Sequence, residues 1–575
     1  MDRILDEGGR MMDRTFDVFL VILSLFLVSC GGNSPTRYKT PPQASFKVDS
    51  YDLSFEIDAE KRLFRSRQYL TITPSVGTDR IVFDLHSDLA IDSLSIQDAN
   101  EREIPLVQWE NLGEVAYERG SGSEVFSRIK LQLGEHVVSR QMLKLFINYQ
   151  MDPRLISSNS GDELLRFTVS TRGSRALHPV SGIVPFFGGN VSAPFRVAVK
   201  YAQGQFCCVP GNRVATEAEA GYVTEIFETE FARIPVFYVG AGEKVERSGN
   251  DITVEYYLAP GQALAKEVID NTFDVAQLYN EGIGDPGTKT YRIAYVEVHG
   301  STISGESKGN AMYFAYRGAG PQWNEQAKLS FMQLISHELF HNWNLWSIQW
   351  NGKLYEWFVE GGAGFMSAWA CENILGREAG GNIRLGFAEG YSKRGNNAIR
   401  TLENAQKTGD AERALIYSYG ALVWEQLRQK LGDEAFFSGL ADFFNTSRYQ
   451  STGYRDLFAS LQAHTKVSVG QYLNQWVKNN AKIDLSISDV RVQQSGNTYE
   501  TTVKFNVESE RDYEIFTALA YKTSVTGEMT YVEVHTTQKG IQSLSFSSDQ
   551  SPIFIQLDPD FRVPQIELNN DSWSG

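Results

Sequence analysis

The sequence predicts a multidomain α+β protein with three parts: an N-terminal all-β domain, a mixed domain whose second half is α-helical, and a small C-terminal β-sandwich-like domain. Three observations predict it. At 575 residues the chain is too long to fold around one hydrophobic core. Apolar residues recur with period two from about residue 45 to 257 and again after 482, as half-buried strands require. Between those stretches the spacing shifts to that of amphipathic helices. A content of 42% hydrophobic and 22% charged residues is that of an ordered globular protein. The net charge of −16 argues against nucleic acid as a partner, because that would call for a basic face.

The N-terminus reads as a leader rather than as fold. Val18 to Val28 is an eleven-residue run, apolar except for Ser24, too short to span a bilayer, with Arg14 before it and possible internal starts at Met11 and Met12. The run ends in Leu27-Val28-Ser29-Cys30-Gly31, which resembles the bacterial lipobox. Residues 1–29 are therefore expected to be a lipoprotein signal peptide and Cys30 the lipidated residue, with an ordinary secretory signal as the alternative. Residues 30–44, rich in Gly, Ser, Pro and Thr, read as a flexible tether. A lipid anchor in the bacterial cell envelope follows, facing the periplasm or on the outer membrane.

The strand pattern of the first domain, 45–258, is clearest at Tyr51, Leu53, Phe55 and Ile57 and at Ile81, Phe83 and Leu85. The period changes near Ala259-Pro260-Gly261. A mixed domain over 259–481 follows, with Leu264, Val268, Val275 and Leu278 at helical spacing and strands at 291–298 and 311–316. Val423, Leu427 and Leu431 share a face before Gly432, a natural helix stop. Alternation over 482–569 marks the last domain, and the polar tail from Asn569 is expected to be loose. Cys207, Cys208 and Cys371 form no disulfide framework and read as buried small hydrophobes. The scattered histidines His86, His136, His178, His299, His464 and His535 have no metal-ligand spacing.

The chemistry concentrates at His337-Glu338-Leu339-Phe340-His341 and at Glu360. On a helix, residues four apart share a face, so both imidazoles can reach one metal ion, and Glu338 is placed to act on water activated by that metal. Glu360 sits in a second apolar stretch, well placed to add a third ligand. Two histidines and a glutamate with an open fourth position form a catalytic rather than a structural zinc set. With eight histidines in the chain, the five-residue motif arises by chance in on the order of one chain in a hundred. The ligand types point to one Zn2+ per chain; another divalent metal fits the same set.

The motif, the eighteen residues between His341 and Glu360, and Tyr417-Ser418-Tyr419-Gly420-Ala421 together resemble the aminopeptidase N family of gluzincin zinc metallopeptidases, over about residues 45 to 480. His341-Asn342-Trp343-Asn344 is similar to the related glycyl aminopeptidase family. The resemblance implies a thermolysin-like catalytic domain, peptide substrates and a peptidase activity. It also implies Tyr417 as the donor that stabilises an oxyanion, since a phenol with its ordinary pKa of about 10 stays protonated at pH 7. A packing tyrosine is the alternative. Asn342, Trp343 and Asn344 are expected to orient ligands or pack the helix end.

The sequence departs from the family where a Gly-x-Met-Glu-Asn segment is expected to hold the substrate amine. Here it reads Ser304-Gly305-Glu306-Ser307-Lys308-Gly309-Asn310, with Lys308 where the glutamate belongs. Gly305 and Glu306 are the available substrate-binding candidates; Glu306 anchors an amine or is a solvated loop carboxylate. Three functions remain open on this reading: an aminopeptidase, a metal-dependent endopeptidase, and a non-catalytic peptide-binding lipoprotein on the same scaffold. No protein partner is indicated.

Overall fold

The computed structural model describes residues 46–119, 122–151, 174–176, 183–187, 193–232, 236–297, 304–316 and 323–575. The leader over 1–29, Cys30 and the tether lie outside the described residues. The chain forms two compact units. One holds Asp274–Pro286 and Trp323–Gly575; the other holds the preceding strands up to Phe273, together with Gly287–Gln322.

The strand-rich unit is built on a seven-stranded sheet in the order Asn212–Glu219, Tyr222–Ala232, Ala193–Ala202, Phe46–Asp58, Leu63–Pro74, Leu143–Met151, Leu89–Asp98. Neighbours are antiparallel except Phe46–Asp58 and Ala193–Ala202, which run parallel. Period-two alternation puts Tyr51, Leu53, Phe55 and Ile57 into the core, beside Leu70, Ile72, Leu145 and Ile147 of the adjacent strands. A second sheet, Thr78–His86, Gly122–Val137 and Leu106–Arg119, adds Ile81, Phe83, Leu85 and Leu131 to the same core.

A five-stranded sheet completes this unit in the order Glu243–Gly249, Ile252–Leu258, Thr290–Glu297, Ala311–Tyr316, Ser304–Lys308. Its first two strands come from the stretch the sequence groups with the N-terminal β-domain, because periodicity reports a strand and not the sheet it joins. Ile252–Leu258 is parallel to Thr290–Glu297 and almost wholly buried, as an inner strand of a mixed sheet must be. Glu255 at its centre is buried. Arg292 (2.9 Å), Arg213 (2.8 Å) and Lys244 (3.1 Å) hold its carboxylate low, near 2, although burial alone would raise it. Since Arg213 also reaches Glu225 at 2.9 Å, one ionic network joins the two sheets.

The other unit is mainly helical: the second half of α1 (Lys266–Ile283), then α2 (Glu325–His341), α3 (Gly362–Leu375), α4 (Arg377–Lys393), α5 (Asp410–Ala414), α6 (Gly420–Leu431), α7 (Asp433–Ser447), α8 (Tyr454–Ala463) and α9 (Val469–Val477). Gly432 ends α6 with φ 77°, the left-handed backbone a glycine accepts most easily. No helix among the described residues is long and apolar enough to cross a membrane.

After α9 come two small sheets. Ile483–Ser495, Thr498–Ser509 and Gly540–Ser548 form one; Thr530–Thr536, Ile515–Lys522, Phe554–Leu557 and Ser572–Ser574 form the other. Polar clamps fasten them to the helices. The Gln426 amide donates to Phe516 O and Arg562 O and accepts from Phe516 N, while Arg377 forks onto Asp560. The tail departs from expectation: Ser572–Ser574 pairs antiparallel with Phe554–Gln556, and Asn570 O accepts from Ile487 N. Backbone pairing holds it, and side-chain polarity carries no signal of that.

Cys207, Cys208 and Cys371 are free and buried, and burial raises all three thiols. Burial also raises two carboxyls of the C-terminal sheets: Asp558 to about 6, and Asp571, which faces the charge of Asp558, to about 7. A folded-state pKa above the unfolded value gives stability that is complete below about pH 4 and is lost as pH rises through the folded values. The thermal midpoint should therefore fall between pH 5 and pH 8, and D571N should remove much of that fall. An undiminished fall in D571N, followed by calorimetry, would exclude Asp571 as its source.

Candidate active site

Helix α2 begins at Asn324, whose side-chain oxygen caps Ala327 N, and from Phe331 onward every residue of the helix is buried. His337, Glu338 and His341 share one region of this buried helix, and a metal-ligating atom from each lies within 4.8 Å of the others. Tyr279, from the end of α1, donates to Ser336 O (3.2 Å) and Met366 O (2.9 Å) and so clamps α2 to α3.

Glu360 enters from the turn that precedes α3. His337 Nε2 lies 3.3 Å, and His341 Nε2 3.7 Å, from the same carboxylate oxygen, Oε2. The opposite oxygen, Oε1, accepts from Lys407 Nζ at 2.6 Å. Burial alone would raise the Glu360 carboxyl. The Lys407 ammonium outweighs that and, with the His337 ring, holds it well below the ordinary range. Burial pushes the His341 imidazole down to about 4, so it is neutral at pH 7, the form that ligates a metal.

Asn344 sets the tautomer of His341. Its Nδ2 donates to Phe358 O (2.9 Å) and Val359 O (2.7 Å), so its Oδ1 is the atom 3.0 Å from His341 Nδ1. An amide oxygen only accepts, hence Nδ1 carries the proton and the lone pair lies on Nε2. A lone pair thus faces a buried, ionised carboxylate oxygen at 3.7 Å. A divalent cation among His337, His341 and Glu360 fits this donor set and resolves the opposition.

Three π-helical turns supply the site: Asn342–Trp346 directly after His341, Trp357–Gly361 containing Glu360, and Leu415–Tyr419 containing Tyr417. The extra residue in each turn re-aims the side chains that follow, a feature frequent at functional sites. The second and third turns pack backbone to backbone. A Cβ on Gly361 would lie 3.1 Å from Gly420 C and 3.2 Å from Ile416 O. The indoles lock the pair: Trp357 Nε1 donates to Gly420 O, Trp424 Nε1 donates to Trp357 O, and the two rings stack at 4.4 Å. Tyr417, buried, lies nearly parallel to the His337 ring with centroids 6.3 Å apart.

Of the residues nominated by sequence, His337, Glu338, His341, Glu360 and Tyr417 lie together. Asn344 orients His341, whereas Trp343 donates to Gly284 O and Asn342 to Leu339 O, packing the helix end. Gly305 and Glu306 lie in the other unit, on the edge strand Ser304–Lys308, opposite Phe314 and Tyr313. Glu306 is not a solvated loop carboxylate: it is buried and ion-paired to Lys308, two residues on along the same strand face. Sequence reasoning missed Lys407, which no motif marks, and Gly361, whose double-glycine setting was the available signal.

A buried HExxH helix with a glutamate delivered from the next helical segment resembles the metal site of gluzincin metallopeptidases. Residues 307–476 match the Peptidase family M1 domain. The chain is 27% identical over 155 residues to aminopeptidase N of Lactococcus lactis subsp. lactis (25% of this chain, 18% of the relative). It is 25% identical over 247 residues to the alanine/arginine aminopeptidase of Saccharomyces cerevisiae (41% and 29%). The matched segments span less than a third of the length of these curated relatives. The fold is similar to a crystal structure of an M1 zinc metallopeptidase from Deinococcus radiodurans, with TM-score 0.56 and 17% identity over 77% of this chain and 96% of that one. On these matches residues 307–476 carry the M1 domain, and the chain resembles the aminopeptidase N relatives over the matched segments.

The glycine contact yields a test. Ala at 361 improves helix propensity by up to about 1 kcal/mol, but overpacking against the Gly420 backbone costs about 1–3 kcal/mol. G361A should therefore lower the urea midpoint and reduce retained zinc; a raised midpoint with full zinc would show that the helices have room to part.

Proposed function

We propose that the chain is a zinc-dependent peptidase that hydrolyses peptide bonds, acting as an aminopeptidase. The opposition of the His341 Nε2 lone pair and the Glu360 carboxylate, with Glu338 alongside, carries the reading. His337, His341 and Glu360 would hold the zinc, which would supply Lewis-acid polarisation of the scissile carbonyl and acidify water. Glu338 takes a proton from the attacking water as the C–O bond forms, then passes it to the leaving nitrogen as the C–N bond breaks. Tyr417 donates its hydroxyl proton as a hydrogen bond to the developing oxyanion; losing one such donor typically costs ~3 kcal/mol of barrier.

The ion pair of Glu306 with Lys308 favours a second reading. A substrate ammonium seeking Glu306 competes with an ammonium already there, whereas a peptide with a blocked N-terminus has no such demand. Endopeptidase action therefore stands beside aminopeptidase action.

One plate addresses both. Aminoacyl fluorogenic substrates and N-terminally blocked peptides are compared for the parent, E338Q and Y417F. The parent should carry about one zinc per chain, and E338Q should keep that zinc and lose hydrolysis. Y417F should lose kcat roughly a hundredfold with little change in KM. Hydrolysis by E338Q at the parental rate would remove the glutamate from the mechanism, and a parent inert on both substrate classes would leave a binding protein.

We also propose that Cys30 is lipidated and anchors the chain to a bacterial envelope membrane, on the strength of the apolar run that ends at it. Radiolabelled palmitate should enter the parent and not C30A; equal labelling would end the proposal.

A further inference from the structure

Lys407 belongs to no motif, lies forty-seven residues from Glu360 along the chain, and sits in the connection before α5. Its side chain is nevertheless only 8% exposed. Lysine is rarely buried to this degree unless it is paired. Here the ammonium is 2.6 Å from Glu360 Oε1, 3.3 Å from Glu356 Oε2 and 5.5 Å from the centre of the Tyr417 ring. A single buried cation thus touches the third metal-ligand candidate, the carboxylate one helical turn before it, and the candidate oxyanion donor.

The two oxygens of Glu360 are divided between two tasks. Oε1 is held by the ammonium in a short charge-assisted bond, while Oε2 alone faces His337 Nε2 and His341 Nε2. A carboxylate free at both oxygens can grip a divalent cation with both and fill an additional coordination position. An ammonium on one oxygen prevents that, draws electron density from the ligand, and adds positive charge beside the metal. Each effect keeps the metal electrophilic and leaves a position for solvent or substrate. Glu356 lies one turn before Glu360, on the same side of the helical segment, and steadies the ammonium from its other flank.

We propose that Lys407 is a positioning residue of the metal centre, confining Glu360 to one-oxygen ligation through Oε2. The proposal rests on the metallopeptidase reading above. It differs from a purely structural role for Lys407 in one respect: removal of the ammonium should tighten the grip on the metal rather than loosen it.

The experiment compares the full-length parent, K407M and K407R after replacement of zinc by cobalt(II). In the parent and K407R, the visible absorption of cobalt should have the intensity of a four-coordinate site. In K407M it should weaken, as Glu360 closes on the metal with both oxygens and coordination rises to five. Release of metal to a chelator should be about tenfold slower in K407M: loss of an outer partner ordinarily weakens a metal site by about 10–100-fold, but here the partner lost is a competing cation, so the change runs the other way. The kcat for peptide hydrolysis should fall with KM little changed. If K407M does not fold, E356Q/K407M, which keeps the local charge balance, takes its place. A parental cobalt spectrum in K407M, or metal release faster than in the parent, would overturn the proposal while leaving the metallopeptidase reading intact. A parent that binds no metal at all would overturn that reading itself.

Discussion

An ionised carboxylate buried at Glu360 is the constraint on which the helical unit depends. Removing an unpaired carboxylate from water is prohibitively costly, so its surroundings must supply compensating charge and donors. Lys407 supplies part of that from one side. On the other side stand two imidazole nitrogens, and at least that of His341 cannot donate, because Asn344 has placed its proton on Nδ1. Those two facts leave a gap in charge that a divalent cation fills. The electrostatics of these side chains thus suit a divalent cation independently of any motif.

Geometry serves the same end. A regular α-helix offers side chains every 100°, and that phase brings His337 and His341 to one face of α2. The π-helical turns at Asn342–Trp346, Trp357–Gly361 and Leu415–Tyr419 change that phase locally. Glycines at 361 and 420 let the second and third turns meet at backbone distance, and the reciprocal indole bonds of Trp357 and Trp424 hold them there. The rigidity of the site thus comes from aromatic and glycine packing directly behind it, as preorganised catalysis requires.

The edge strand Ser304–Lys308 shows a different economy. Glu306 and Lys308 alternate onto one face and neutralise each other there. In the family it resembles, this segment carries an acidic anchor for the substrate amine. In this chain the acidic group arrives with its own counter-ion, so the segment presents a neutral pair.

The sequence alone was sufficient for the parts that local pattern encodes. Period two announced the β-domain and the C-terminal sheets, the helical period announced α1 and α6, and four-residue spacing put His337 and His341 on one face. Glu360 and Tyr417 were reachable from spacing joined to family resemblance. Tertiary structure decided everything that depends on which distant segments meet. It assigned Glu243–Gly249 and Ile252–Leu258 to the mixed sheet, tied the polar tail down as a strand, and turned Glu306 from an open carboxylate into half of an ion pair. It also brought Lys407 to Glu360. The reason is physical: periodicity reports how a residue relates to its near neighbours along the chain, whereas burial, backbone pairing and buried charge compensation are set by groups dozens of residues away, and no local pattern records them.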